Sequence, residues 1–480
     1  MSIGNKANFI RILLLVLLLG LFFLVPACNK QSNSLSGTVT IGGTAKEGVT
    51  ISLSGDGSAT TTTDSSGHYS FNDVEDGTYT ITPTLPSTST GAGYIFTPWT
   101  RTAYMNSGSE GTGFDFNAII PDQVSTSTHT LFIKSDGTVL AWGLNDKGQL
   151  GNNTTSLIAN PSAVQVLGEG GVGILSDIIA VAAGNGFSIA LKSDGTIWAW
   201  GDNTYGQLGD GTTTARLTPV QVTGLSGTFV TISAGGSHAL AIRSDGTLWA
   251  WGDNSSGQLG NSSVAATSSS IPVQASISNI KYVSAGFDHT MALDNNGSVW
   301  TWGNNSNGQL GNATQTNSSA PVLAVPGSSV RIAAGNKCSV VLRYTTSHLT
   351  GAIVTWGNNS DGQLGIGTTI DSYSPLTIAN FSDIANISAG YNHVVISKND
   401  GTVWAWGNNS SGQLGNNSYV ASTSPIQTST VTGIVHLSAG NGDTVAYKND
   451  GTVWAWGDNT YGQLGDLTNP HLVPIAVTVP

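Results

Sequence analysis

Four histidines, His129, His238, His289 and His393, stand at one place in a sequence unit that returns about every fifty residues. Phe187, Cys338 and Asp443 fill that place in the other three units. Imidazoles gathered by a repeat are raw material for a zinc centre. A zinc ion, however, needs its ring nitrogens within about 2.1 Å, and equivalent positions of a closed repeat lie too far apart to share one metal. No metal site and no cofactor are expected.

The acids of the unit suggest turns rather than catalysis. Asp136, Asp194, Asp245, Asp400 and Asp450 precede a turn glycine, and Asn296 takes their place in the fourth unit. After each Trp-Gly pair the chain offers Asp202, Asp253 and Asp458, then Asn304, Asn358 and Asn408, and once Leu144. Asp and Asn both close turns and both accept left-handed geometry. They do not exchange as calcium ligands or as general acids and bases. No nucleophile elbow, phosphate-binding loop or HExxH motif occurs either. The expectation is a protein that is not an enzyme.

The elements carrying these residues follow from the tryptophans. Trp-Gly occurs at Trp142, Trp200, Trp251, Trp302, Trp356, Trp406 and Trp456, at spacings of 58, 51, 51, 54, 50 and 50 residues. Such a period, with runs such as VTISAG, HALAIRS, TLWAWG and IPVQA inside it, predicts one four-stranded propeller blade per unit. Trp249 and Trp251 are two apart on a strand and project from one face, with Leu248 and Ala250 on the other. Because Leu140 and Val354 replace the first tryptophan in two units, packing between blades explains the pair better than a repeated stacking platform.

The pattern AGxxH, xDGTVWAWGxNxxGQLG and a Pro-x-x-Val return resembles the RCC1 (regulator of chromosome condensation) repeat. The resemblance implies an all-β, seven-bladed propeller over residues 121–480, and a structural histidine that bonds a neighbouring loop. The last unit ends in VPIAVTV while the first begins late, at HTLFIKSDG. The C-terminal strand is therefore expected to complete the first blade and close the ring, leaving no free edge.

Residues 34–118 differ in style. Short alternating runs rich in Thr, Val, Ile and Tyr, cut by Gly and Asp turns, predict a small antiparallel β-sandwich. SGTV, GVTISLSG, TDxxGxYxF and GTYTITP resemble carboxypeptidase regulatory-like (transthyretin-like) domains, which implies a spacer or adhesion module without catalysis. Upstream, Lys6 and Arg11 precede an apolar run from Ile12 to Val25, which reads as a signal peptide over residues 1–27. LVPAC resembles a bacterial lipobox. It implies lipidation of Cys28, a tether over 28–33, and a lipid anchor in the cell envelope, at the outer membrane or cell surface.

Only 9% of residues are charged, the net charge is −12, and no basic block exists to neutralise phosphates. Nucleic acid is excluded as a partner. What varies between units is the loop between Ala-Gly and the histidine position, and functional residues gather on such loops. Phe187, Phe287, Asp288, Lys337, Tyr391, Asn392 and Asp443 are the candidate binding residues. The function expected of a monomer so built is non-catalytic binding of an envelope or extracellular protein. Glycan binding is one alternative, and guanine-nucleotide exchange, which the resemblance would imply, is another.

Overall fold

The computed structural model describes residues 33–119 and 123–479, with breaks at 42–43, 85–94, 98–100, 107, 264–266, 345–350, 379–383, 399, 430 and 449. Cys28 and the signal segment lie outside the described residues. The chain divides into two compact units, the first ending at Ile119 and the second running from Ile120 to Pro480.

The first unit is a β-sandwich. Thr50–Gly55 pairs with Ala59–Thr62 and with Gly77–Thr84, which in turn pairs with Arg101–Met105, to make one sheet. In the other sheet, Asn33–Ile41 lies antiparallel to His68–Val74 and parallel to Phe116–Ile119. Alternation delivers one residue in two to the core: Ile51, Leu53, Tyr69, Phe71, Tyr79 and Ile81 are buried. His68, exposed at the start of its strand, takes no part in that core.

The second unit holds seven four-stranded antiparallel sheets, each built from one stretch of chain. The first blade spans Val124 to Gln165, the second Ile178 to Gln221, the third Phe229 to Gln274 and the fourth Ile280 to Val325. The fifth spans Ser329 to Ile378, the sixth Ile384 to Gln427 and the seventh Ile434 to Val477. Each first strand touches the first strand of the next blade, and the seventh touches the first, so the ring is closed.

The manner of closure corrects the expectation from sequence. The C-terminal strand, His471–Val477, pairs with Val453–Gly457 inside the seventh blade. The first blade needs no borrowed strand, because Val124–Thr126 pairs with His129–Ile133 and serves as its first. Thr126-Ser127 stands where other units carry Ala-Gly, so the usual marker of that strand is absent. The seam is closed by side chains and loops. Val124, Phe132, Leu140 and Trp142 pack with Val445, Val453, Ala455 and Leu464 in one buried cluster, and Asn160 N–H donates to the Tyr461 carbonyl at 3.0 Å.

Between blades the tryptophans behave as their spacing requires. Trp251 packs in the core shared with the second blade, with Trp249 against its edge, while Leu248 and Ala250 face the fourth blade around Trp302. The second tryptophan of every unit is fully buried, and its Nε1 donates to the main-chain oxygen of the Gln in the preceding GQLG loop. For Trp251 and Gln207 the distance is 2.9 Å. Across the seam, Trp142 and Gln463 are 2.8 Å apart. The last glycine of the motif is required by this packing: Gly260 has φ +68°, and a Cβ there would come within 2.5 Å of Trp302 Nε1.

Candidate functional site

In every blade the second strand begins, and the third strand ends, at the same end of the sheet, so the variable loops and the GQLG loops share one face of the ring. At its centre is a cavity of about 430 Å³ lined by the small residues that close each first strand, among them Ala234, Ala285, Ala389 and Thr126. Its wall is tight, since a Cβ on Gly235 would lie 2.3 Å from the Gly286 carbonyl oxygen.

Two of the aromatic candidates meet over this opening. The rings of Phe287, on the fourth blade, and Tyr391, on the sixth, pack edge to face with centroids 6.1 Å apart and planes at 82°. Tyr391 remains 40% exposed. Asp288 and Asn392 are half-buried beside them and Lys337 is exposed on the fifth blade between. Burial raises the Asp288 pKa above the ordinary carboxylate range; the Asp253 charge adds to this and Lys337 opposes it.

The other two candidates are not on this surface. Phe187 and Asp443 are fully buried at the first position of their second strands. This is the histidine position, and it faces the next blade. The reason lies in a bonding chain that one sequence unit viewed alone does not reveal. His238 Nε2 sits 3.1 Å from the Thr290 hydroxyl of the next blade, and that hydroxyl donates to the Gln258 carbonyl at 2.8 Å. A carbonyl only accepts, so the Thr290 proton is committed and His238 must carry its proton on Nε2. The same chain joins His129 to Ser188 (2.7 Å), His289 to Ser339 (3.1 Å) and His393 to Thr444 (3.0 Å). Burial holds these imidazoles neutral, pushing His129 and His289 down to about 3 and His238 and His393 to about 4.

Where the histidine is missing, its partner changes too. Ala239 stands in the hydroxyl's place on the blade after Phe187, and Val394 does so on the blade after Cys338, so both of these junctions are apolar. Burial pushes the Cys338 thiol up to about 12, leaving it an inert apolar group. A second bonding chain follows the same division. Ser125, Ser233, Ser284, Ser388 and Ser438 each accept a main-chain N–H from the next blade at 2.9–3.1 Å. Ala182 and Ala333 replace the serine at the two apolar junctions.

At the seam Asp443 stands in for histidine. The Thr126 hydroxyl lies 2.5 Å from its carboxylate and 3.1 Å from the Thr130 hydroxyl, which donates to the Gln463 carbonyl at 2.9 Å. With Asp443 ionised, its two neighbouring hydroxyls have two protons for three contacts. A neutral Asp443 supplies the third, and the chain then runs Asp443 to Thr126 to Thr130 to Gln463. Burial drives the Asp443 pKa up to about 7, with the Asp458 charge adding to the rise and the Thr126 bond opposing it.

The turn residues act locally. Asp194 accepts the N–H and hydroxyl of Thr196, and Asp294 performs this closure in the fourth unit, where Asn296 is displaced from it. The Asn that follows the variable Asp/Asn position is present in all seven units. Asn203 shows why: its Nδ2 donates to Asp210, Thr212 and Thr214 while its Oδ1 accepts the Leu208 N–H. An aspartate could not donate, so that column is fixed to the amide.

The same face carries a feature that composition alone did not disclose. Leu157 and Ile158 on the first blade, Ile370 on the fifth, Tyr419 and Val420 on the sixth and Leu467 on the seventh are exposed, from 54% for Tyr419 to 86% for Leu157. All lie in the loop between third and fourth strands, on four consecutive blades of the ring. Their common loop position was the available signal; scattered through the sequence, they looked like ordinary loop residues.

Comparison with known proteins places both units. The model of the RCC1-like domain matches residues 112–350. The RCC1 repeat matches residues 350–397, 400–447 and 450–480. The SdrD B-like domain matches residues 34–129, which span the sandwich. The ultraviolet-B receptor UVR8 of Arabidopsis thaliana is 31% identical over 57% of this chain and 62% of its own length. A probable E3 ubiquitin-protein ligase of Homo sapiens, HERC6, is 33% identical over 50% of this chain and 24% of its own. The chain thus spans less than two thirds of either relative. Among solved structures, human WBSCR16 superimposes with a TM-score of 0.63 at 23% identity, covering 72% of this chain and 94% of that one. Prp20p of Saccharomyces cerevisiae gives 0.60 at 22%, covering 73% and 88%. The second unit of the chain is an RCC1-like propeller of RCC1 repeats, and it follows an SdrD B-like β-sandwich.

Proposed function

We propose that the propeller is a non-catalytic protein-binding scaffold, and that it binds through the face bearing the variable loops. The observation that carries this reading is the concentration of exposed apolar side chains on that face: the Phe287–Tyr391 pair at the centre and the aliphatic arc from Ile370 to Ile158 at the rim. Apolar groups gathered on one surface and flanked by polar loops are the usual composition of a docking site. A propeller of the same fold supports a binding role, since Prp20p of Saccharomyces cerevisiae binds Gsp1p and histones. His129, His238, His289, His393 and Asp443 are all committed to hydrogen bonds between neighbouring blades, which supports a non-catalytic reading. We also propose lipid anchoring through Cys28 in the bacterial envelope, which rests on the N-terminal sequence.

The test is capture of envelope and extracellular proteins by the full chain and by a variant carrying Phe287→Ala and Tyr391→Ala together. A second variant carries Leu157→Ser, Ile158→Ser and Val420→Ser. Loss of specific capture in either supports this face; undiminished capture in both would sink it. Metabolic labelling with palmitate, with Cys28→Ser as control, tests the anchor, and an unlabelled wild-type chain would refute it.

A further inference from the structure

A second cavity opens on the same face, between the sixth and seventh blades. It measures about 240 Å³ and is walled by polar groups, chiefly Asn392, Asn408 and Ser411 from the sixth blade and Asn441, Gly442 and Asp458 from the seventh. Asn441 also lines the central cavity, so the cleft adjoins the site of Tyr391. Two small residues create it. At the corresponding place between the fifth and sixth blades, Asp361 fills the gap and bonds Asn408 Nδ2 at 2.8 Å. Between the first and second, the stem of Lys147 lies over Gly186 and Asp202. Here Ser411 and Gly442 are too short to meet, with the Ser411 hydroxyl 4.0 Å from where a Gly442 Cβ would be.

The cleft is polar and carries one negative charge, on Asp458. Asp458 is held in place by the Thr460 N–H and hydroxyl, both donating to Oδ1, and by Gln463 Nε2, which donates to Oδ2, so Oδ2 keeps lone-pair capacity for a further donor. The only Lys or Arg residues of these two blades, Lys398 and Lys448, lie at the opposite end of the sheets. The chain as a whole carries a net charge of −12. A planar donor group with a positive charge matches such a site: it pairs with the carboxylate and its remaining N–H groups face the polar wall.

We infer that the cleft between Ser411, Gly442 and Asp458 receives an arginine side chain of the protein partner. This deepens the reading of the face as a protein-docking surface and rests on it. The probe is N-acetyl-arginine methylamide, titrated against the full chain by saturation-transfer NMR, with the lysine analogue and methyl pyranosides alongside. Two variants carry residues that the repeat itself uses at those positions: Asp458→Asn copies Asn408, and Ser411→Tyr copies Tyr205. Saturable binding of the arginine probe, weakened at least about tenfold by each variant and reduced for lysine, is expected. Absence of saturable binding, equal binding by Ser411→Tyr, or preference of the cleft for a pyranoside would overturn the inference. Capture by the Phe287 and Tyr391 variant tests the face independently, so the two readings can fail separately.

Discussion

Five junctions of the ring are stitched by side-chain hydrogen bonds, whereas two, between the second and third blades and between the fifth and sixth, are apolar at the same positions. Phe187 with Ala239 and Cys338 with Val394 replace a histidine with its hydroxyl, and Ala182 and Ala333 replace the stitching serine. The substitutions come in matched sets because a buried donor without its acceptor costs more than the bond itself stabilises. A junction can therefore be wholly polar or wholly apolar, and the mixed state is the one to avoid. Conserving a histidine in such a ring says nothing about catalysis.

The largest effect should be blind to this division. Trp302→Ala at a polar junction and Trp406→Ala at an apolar one should each cost about 3 to 5 kcal/mol in urea unfolding, since both tryptophans are fully buried and bonded to a Gln carbonyl. A much smaller loss at Trp406 would mean that the apolar junctions are held by something else.

Next comes the mixed state itself. Thr290→Val strands the His238 Nε2 proton and should cost roughly 1 to 3 kcal/mol. Adding His238→Phe, with Thr290→Ala in place of valine, copies the Phe187–Ala239 pair and should recover most of that loss. A double-mutant cycle on these residues should show strong coupling, and simple additivity would break the comparison.

The seam should show a pH dependence opposite in sign to that of the histidine junctions. The Asp443 carboxyl titrates near 7 when folded and near its ordinary 3.8 when unfolded. Between those values the folded state holds the extra proton, so its contribution to stability falls as pH rises. The histidines, depressed from 6.5, have the reverse effect, destabilising the fold as pH drops below 6.5. Asp443→Asn, whose amide can donate to Thr126 at any pH, should flatten the decline toward pH 8 and gain roughly 1 to 2 kcal/mol there. Melting temperatures measured from pH 5 to 8.5 would check this; a variant that parallels the wild type would show that Asp443 is ionised throughout. The smallest effect belongs to the face: Phe287→Ala with Tyr391→Ala should change stability by less than about 1.5 kcal/mol, as expected of residues kept for contact with a partner.

The repeat made most of the fold legible. TLWAWG at 247–252 and HALAIRS at 238–244 fall on Leu248–Asp253 and His238–Arg243, because the two-residue alternation and the Trp-Gly period both survive in nearly every copy. The seam is not legible where the marker is lost, at Thr126-Ser127, whose threonine hydroxyl bonds Asp443. The site was half legible. Phe287 and Tyr391 stand at the surface, but Phe187 and Asp443 looked equivalent to them only because loop and strand positions are adjacent in sequence. The hydroxyl partners were in view throughout, one residue past the histidine position of the next unit. Seeing them requires comparing a column with its neighbour one repeat away.

Because each blade is made from a single uninterrupted stretch, and the ring closes through the same kinds of packing and side-chain hydrogen bonds as its other junctions, the place where the chain starts is topologically arbitrary. A propeller whose last strand is lent to its first blade is clasped, and its termini are confined to that blade. This one is a necklace whose opening could lie at any of seven gaps. Its modules can be duplicated, deleted or reordered whole, provided that each new pair of neighbours matches, polar against polar or apolar against apolar.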